Sequence, residues 1–395
     1  MTSLVRRLRR LLMLLPSAAT GGAERHAATL AHALAGWGVE VVVAAEAALL
    51  PDLAPLFHPL ALEAAPIDWR EAEGMAANAV RQAEAAARLI ARHAPQAAIL
   101  PLPWPSHGLG LQQALGEARL PGLAIAHLAP RAPVPVPAAL LRPALEAPLT
   151  WAAVSAPVAG RVAAVFGLAP GEVAVVPNGV AVPAEDPARR LAERGTRRAR
   201  FGLGPDAPMV LFAGRLEETK GADLLPALAE RLGQAMGASL VALGAGPLGP
   251  ALSAHPAARA GGPLHLPGMV DDVADWLLAA DALVLPSRLE GCPLIALEAM
   301  ARRCPVAATA EATECFGDIA GTLAWVAGPQ TVLDLTSHVS AILSGSGDVI
   351  ARVAAAEAWA ASHDVVGMLA RYGQLLRGLA AAARTGPDGA MSRGR

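Results

Sequence analysis

The stretch Ala282-Leu-Val-Leu-Pro-Ser-Arg-Leu-Glu-Gly-Cys-Pro-Leu-Ile-Ala-Leu-Glu-Ala-Met-Ala-Arg-Arg-Cys-Pro305 runs a strand, a turn and a helix together. Ala282–Leu285 is a short apolar run of the kind a buried parallel strand needs, and Leu294, Leu297, Glu298 and Ala301 fall at helical spacing. Glu290 is therefore on the turn and Glu298 on the helix. At about 1.5 Å of rise per helical residue the two carboxylates stand roughly 10 Å apart, too far to share a proton and suited to gripping two ends of one elongated ligand. Between them Gly291, Cys292, Pro293 and Leu294 lead into a helix whose first N–H groups lack helical partners and attract phosphate. Polyol, phosphate, polyol is the order of groups in a nucleotide sugar. Two glutamates so spaced are also a common surface feature, so the reading depends on the rest of the chain.

Outward from that stretch the strand-turn-helix pattern recurs. Just upstream, Met209–Ala213 leads to Gly214-Arg215, a polar loop, and Lys220-Gly221, which is expected to open a helix with Leu225, Leu228 and Leu232 inward. Leu240–Leu243 followed by Gly244-Ala-Gly246, and Leu264–Leu266 followed by Pro267-Gly268, end in glycine turns expected to be open enough to admit a flat base. Asp271-Asp272 resembles a metal pair but stands where a helix N-cap is wanted, and capping is the stronger reading. Downstream come strands at Val306–Ala308 and near Leu323–Val326. Helices follow over about 331–344, 350–361 and 364–383, and then a polar tail.

The first half repeats the theme. Arg6, Arg7, Arg9 and Arg10 before Leu11–Leu15 imitate a signal peptide, but the apolar core is too short and suits a first buried strand. Gly21-Gly22 then opens a helix with Ala27, Leu30, Ala31 and Leu34 on one face. That first glycine turn lacks G-x-G-x-x-G, which argues against a dinucleotide dehydrogenase. Val39–Ala44, Ala97–Leu100, Gly122–Ala126, Trp151–Val154 and Val173–Val176 continue the strand pattern, with helices over Met75–Pro95 and Pro157–Phe166. His107 and His127 lie beyond strand ends, where open α/β sheets bind ligands. Residues 183–207, rich in Arg, Glu and Pro, look like the connection between halves.

A chain of 395 residues is long enough for two ordinary domains. A formal net charge of −2 excludes the broadly basic footprint of a nucleic-acid binder. Cys292, Cys304 and Cys315 lack zinc or redox-pair spacing and are read as reduced thiols. No uninterrupted run of about 18 apolar residues suggests a membrane span. Of 32 basic residues only Lys220 is lysine. A compact ammonium kept at one place in an arginine-using chain marks a site that wants a point charge.

At this point the motifs carry a resemblance. Gly21-Gly-Ala-Glu-Arg25, Val176-Pro-Asn-Gly-Val180, Gly214-Arg215 with Lys220-Gly221, and Pro286-Ser-Arg-Leu-Glu-Gly291 with Glu298-Ala-Met-Ala301 resemble, in this order, the retaining glycosyltransferases of family 4. The Glu290 to Glu298 spacing resembles that family's E-x7-E signature. The resemblance implies an α/β, GT-B fold: two Rossmann-like, doubly wound domains facing a central cleft. It implies an acceptor-side domain over 1–182, a linker over 183–207 and a nucleotide-sugar donor domain over 208–362. A C-terminal helix over 363–383, with the first domain as candidate packing partner, and a disordered tail over 384–395 complete the chain. Arg215 and Lys220 would hold the donor diphosphate, Glu298 the ribose, and Glu290 and His127 the transferred sugar, with His107 the weaker alternative. Gly22 would approach the phosphates, and Gly214, Gly246, Gly268, Gly291, Cys292, Pro293 and Leu294 would line the donor site. No cofactor or metal is implied beyond the nucleotide-diphosphate sugar as co-substrate. This chain departs from the family in having Arg303 where a glycine is usual, so the left-handed cap expected there is unfavourable.

The expected function is transfer of a sugar to a glycan or lipid-linked acceptor in cell-envelope polysaccharide or lipopolysaccharide synthesis. A nucleotide-sugar epimerase or hydrolase on the same fold, and a catalytically silent glycan-binding homologue, are the alternatives. The intact Arg215, Lys220, Glu290 and Glu298 weigh against silence. The expected place is the cytoplasm, with peripheral contact to the inner membrane face through Arg6, Arg7, Arg9, Arg10 and an Arg81/Arg88/Arg92 helix stripe.

Overall fold

The computed structural model describes residues 8–132 and 134–382. The chain forms two units, one made of residues up to Pro177 together with those from Val366 onward, the other of Asn178–Val365. Arg6, Arg7 and the tail over 384–395 lie outside the described residues.

The first unit is built on a seven-stranded parallel sheet. Its strands are β1 (Arg10–Leu14), β2 (Glu40–Ala45), β3 (Ala61–Ala64), β4 (Ala97–Leu102), β5 (Gly122–Ala126), β6 (Leu149–Ala153) and β7 (Val173–Val175), in the order β3-β2-β1-β4-β5-β6-β7. Leu11, Leu12, Met13 and Leu14 are fully buried, which is why this strand is an unbroken apolar run: helices cover both faces of a parallel sheet. The second unit holds β8 (Met209–Ala213), β9 (Ser239–Leu243), β10 (Leu264–Gly268), β11 (Ala282–Leu285), β12 (Val306–Thr309) and β13 (Trp325–Ala327), in the order β10-β9-β8-β11-β12-β13. Each order reverses once, between β1 and β4 and between β8 and β11, as in doubly wound sheets. The helix Val365–Ala382 places Tyr372 of the first unit against His26, with ring centroids 5.2 Å apart.

Several expectations are refined or corrected. Lys220-Gly221 does lead into a helix, in two steps: Gly221, in the left-handed region, ends a 3-10 turn over Glu218–Lys220 and caps a second over Ala222–Leu224, which runs into the α-helix Leu225–Met236 with Leu225, Leu228 and Leu232 buried. Residues 183–207 are not a plain connection, for Pro187–Ala199 is a helix capped by Asp186, whose carboxylate accepts from Arg189 N at 2.9 Å. That helix is fastened to the rest of the second unit. Arg198 is fully buried, donating to Asp281 Oδ2 at 2.7 Å and to the Ala279 carbonyl at 2.8 Å. Asp272 stands at the N-cap of Val273–Ala279 as expected, but its side chain makes no cap hydrogen bond; it accepts from Trp276 Nε1 at 3.1 Å and pairs with Arg197 at 2.6 Å. Arg303 does take the left-handed position, at φ 56°, and its guanidinium lies 2.9 Å from Glu185 and 3.6 Å from Glu357.

The basic stripe is also revised. Arg81 turns inward, 18% exposed, to Asp68 at 3.0 Å and Glu73 at 3.0 Å, while Arg92 pairs with Glu63 and Arg10 with Glu40 at 2.9 Å. Among the described residues no helix is long and apolar enough to cross a membrane.

Candidate active site

In an open α/β sheet the reversal of strand order leaves a crevice at the carboxyl ends of the strands, and ligands bind there. In the second unit that reversal lies between β8 and β11. The loop after β8 carries Gly214, Arg215 and Lys220, and the loop after β11 carries Glu290 and Gly291. The sheet therefore brings the two loops together although they are 70 residues apart. Lys220 Nζ donates to Glu290 Oε1 at 2.8 Å, and the Ser287 hydroxyl donates to the same oxygen at 3.0 Å. The two side chains of the pair are 26% and 12% exposed, sheltered enough for their attraction to exceed that of an open surface pair.

Arg215 is exposed, its guanidinium 3.3 Å from Glu217, and the other Glu217 oxygen accepts from the Thr219 hydroxyl at 2.6 Å. Each cation has one carboxylate neighbour. A guanidinium offers five N–H donors and an ammonium three, so one such bond leaves further donors for an incoming anion.

Gly291, Cys292 and Pro293 are buried, and Leu294 starts a helix that ends at Met300. The helix has seven residues, so its dipole is short. Glu298 sits half-buried in its second turn, with its carbonyl accepting from Arg302 at 3.1 Å. Asn178, 4% exposed, donates from Nδ2 to the Cys292 carbonyl at 2.7 Å. It thereby anchors the approach to the helix, a role that the motif Val176-Pro-Asn-Gly-Val180 did not reveal.

The glycine turns differ from each other. Gly268, at φ +84°, has open space where a Cβ would stand, in keeping with an open turn. Gly246 does not: a Cβ there would lie 2.6 Å from the Leu216 carbonyl oxygen, and Leu216 N donates to the Ala245 carbonyl at 3.0 Å. Gly246 is required for two loops to touch.

All three cysteines are free. Burial pushes the Cys304 thiol up to about 12, and a hydrogen bond with the Cys292 thiol, followed by burial, raises Cys315. Neither of those two is a thiolate nucleophile at neutral pH.

The first unit has its own strand-end cluster. Glu24 accepts from Gly21 N at 2.6 Å and from the Ser17 hydroxyl, which closes the glycine turn onto the helix Gly22–Gly36 and leaves Gly22 exposed as its first residue. One turn on, His26 is 2% exposed and meets His127 edge to face, with centroids 4.7 Å apart. His127 follows β5, and its backbone N–H donates to the Leu102 carbonyl at 2.9 Å. Neither His26 nitrogen, nor Nε2 of His127, has a hydrogen-bond partner in the described structure. Burial lowers His26 to about 4, and burial together with the His26 neighbour lowers His127, so both rings are neutral at pH 7. His107 stands apart, stacked on Trp69 at 4.3 Å and lowered by burial to about 4. Among the described residues no group of three or more His, Cys, Asp or Glu forms a metal cluster.

Two parallel sheets, each reversing at a switch point, define a GT-B fold, and solved structures agree. HepE of Anabaena, in complex with UDP-glucose, superposes with a TM-score of 0.73 at 17% identity, covering 93% of this chain and 99% of that one. WaaG, a glycosyltransferase involved in lipopolysaccharide biosynthesis, does so with a TM-score of 0.67 at 16% identity, covering 95% and 100%. The profile described as Glycosyltransferase Family 4 matches residues 20–182, and that described as Glycosyl transferases group 1 matches residues 207–344. The chain belongs to the family 4 glycosyltransferases. Over 156 residues it is 32% identical to the D-inositol 3-phosphate glycosyltransferase of Streptomyces bingchenggensis. That match covers 36% of this chain and 34% of the relative, so the chain spans about a third of the relative's length.

Proposed function

We propose that the protein is a retaining glycosyltransferase that moves a sugar from a nucleotide-diphosphate sugar to a glycan or lipid-linked acceptor. The observation that carries this reading is the Lys220–Glu290 pair at 2.8 Å, beside the Arg215 loop, at the switch point of the second sheet. A diphosphate arriving there draws Lys220 and Arg215 away from Glu290 and Glu217. As the sugar leaves, charge builds on the diphosphate, and cations already in place stabilise it without reorganising. Glu290 then accepts from hydroxyls of the transferred sugar, and Glu298 from the ribose, by charge-assisted hydrogen bonds. Retention follows from front-face substitution, in which the leaving phosphate helps to take the acceptor proton. The roles of Gly22 and His127 rest on the family resemblance.

The UDP-glucose held by HepE favours a nucleotide-sugar donor. The lipopolysaccharide role of WaaG and the D-inositol 3-phosphate named for the curated relatives favour a polyol or glycan acceptor. The test is thermal-shift screening with UDP, GDP and ADP, followed by donor turnover with and without candidate acceptors. Stabilisation by at least one nucleotide, and nucleotide release that depends on acceptor, are expected. Release without acceptor favours a hydrolase, and no stabilisation by any of the three sinks the donor reading.

A further inference from the structure

The segment that carries Lys220 and the segment that carries Glu290 are also fastened to each other by contacts that involve neither side chain. Arg288 N donates to the Thr219 carbonyl at 2.9 Å. The Arg288 guanidinium grips both oxygens of Asp223, at 2.6 and 2.7 Å, and also donates to the Glu218 carbonyl. Gly221, at φ +69°, presses on Pro286 so closely that a Cβ would stand 2.1 Å from the Pro286 carbonyl oxygen. The hydrogen bond to Asp223 comes first among the causes that raise Arg288, and its counterpart from Arg288 comes first among those that lower Asp223, so both stay charged across the neutral range.

We propose that Arg288 and Asp223 are a positioning pair for the diphosphate site, holding the Lys220 loop at fixed distance from the Glu290 loop. A forked guanidinium–carboxylate bond fixes plane as well as distance, which a single contact does not. Lysine needs that support, because its charge rides on a flexible four-carbon stem and only its backbone can be placed rigidly. Arg288 is 47% exposed and Asp223 34%, and exposed pairs add little to stability, so the strength of this clasp is better explained by alignment than by folding. The inference rests on the reading of Lys220 and Arg215 as diphosphate cations.

Titration calorimetry of the full chain with UDP, GDP and ADP as probes tests it, with melting temperature recorded for every variant. Arg288→Ala and Asp223→Asn are each expected to weaken binding of the preferred nucleotide by about tenfold, since misplacement by a fraction of a bond length to roughly 1 Å is costly in a preorganised site. Arg288→Lys restores part of the loss, because it keeps the charge without the fork. The double exchange Asp223→Arg with Arg288→Asp restores more than either single exchange. Melting temperatures stay near wild type. Asp223→Asn is close to isosteric and keeps the test valid if Arg288→Ala does not fold. Wild-type affinity in both single variants, while Lys220→Ala loses binding, overturns the positioning role and leaves the diphosphate reading standing. Wild-type affinity in Lys220→Ala as well overturns both. Losses that no exchange restores, and that track a fall in melting temperature, assign the pair to folding and overturn the inference.

Discussion

The carboxyl ends of the two sheets carry opposite electrostatics. In the first unit His26 and His127 meet edge to face as neutral rings, their free nitrogens shut away from solvent. In the second, Lys220 faces Glu290, Arg215 faces Glu217 and Arg288 grips Asp223. The two rings are uncharged because burial penalises the charged form, and the ions of the other cluster persist because each has a partner at the rim of the sheet. Two sheets that reverse in the same way thus carry a pair of buried neutral rings at one and a set of paired ions at the other.

The difference can be broken by experiment, beginning with the deepest charge pair. Asp281 receives Arg198, which is fully buried, as well as Arg194 and the Met209 N–H, the last at 2.8 Å. Asp281→Ala leaves a buried guanidinium without its counter-ion and is expected to cost about 3–5 kcal/mol in the second unit. Denaturant unfolding measures it, and a cost near zero would show that the unit does not depend on paired ions.

Next comes Lys220→Ala. It removes one preorganised cation and is expected to lower turnover by about 10²–10³-fold, with Arg215→Ala similar. Steady-state kinetics decide the matter, and unchanged turnover in both variants removes the anion site from the comparison.

The smallest effect separates the units by pH. His26 has an ordinary value of 6.5 and is lowered to about 4 by burial, so the unfolded chain binds more protons between those values. Its contribution is present in full above pH 6.5 and is lost as pH falls toward 4, up to about 3 kcal/mol at about 1.4 kcal/mol per unit, and less after relaxation. Asp223, lowered by its hydrogen bond from Arg288, acts at more acid pH: its contribution is present above 3.8 and is lost as pH falls below that. Hydrogen exchange between pH 7 and 4.5 should therefore show protection falling first around His26. Equal loss in both units would mean that the imidazoles are not held neutral.

Much of the fold was legible because parallel strands buried on both faces leave unbroken apolar runs, as at Leu11–Leu15 and Met209–Ala213. The edge strand Ala61–Ala64 escaped because it pairs only with β2 and has no such run. The helix Pro187–Ala199 escaped because its arginines made it look like solvated connection. Asp186-Pro187, a cap followed by proline at the first turn, was the signal that could have found it. Those arginines bind acids of the second unit, a pairing that no spacing in the sequence encodes. Around the site, the identities of Arg215, Lys220, Glu290 and Glu298 were visible as motif positions. The roles of Ser287, Asn178, Glu217, Asp223 and Arg288 were not legible, even where a quoted motif contained the residue, since each acts through a partner chosen by the fold.

By itself the sequence determined the alternation of strands and helices, the two-part organisation and which residues stand on strand-end loops. These follow from local periodicity and from side-chain types at turns. Only the tertiary structure decided that the Gly246 turn closes on Leu216, that Arg81 folds back onto Asp68, and that Lys220 meets Glu290 across 70 residues. Such distances are set by strand order and register, and register is a property of the assembled sheet, so no local stretch of chain contains it.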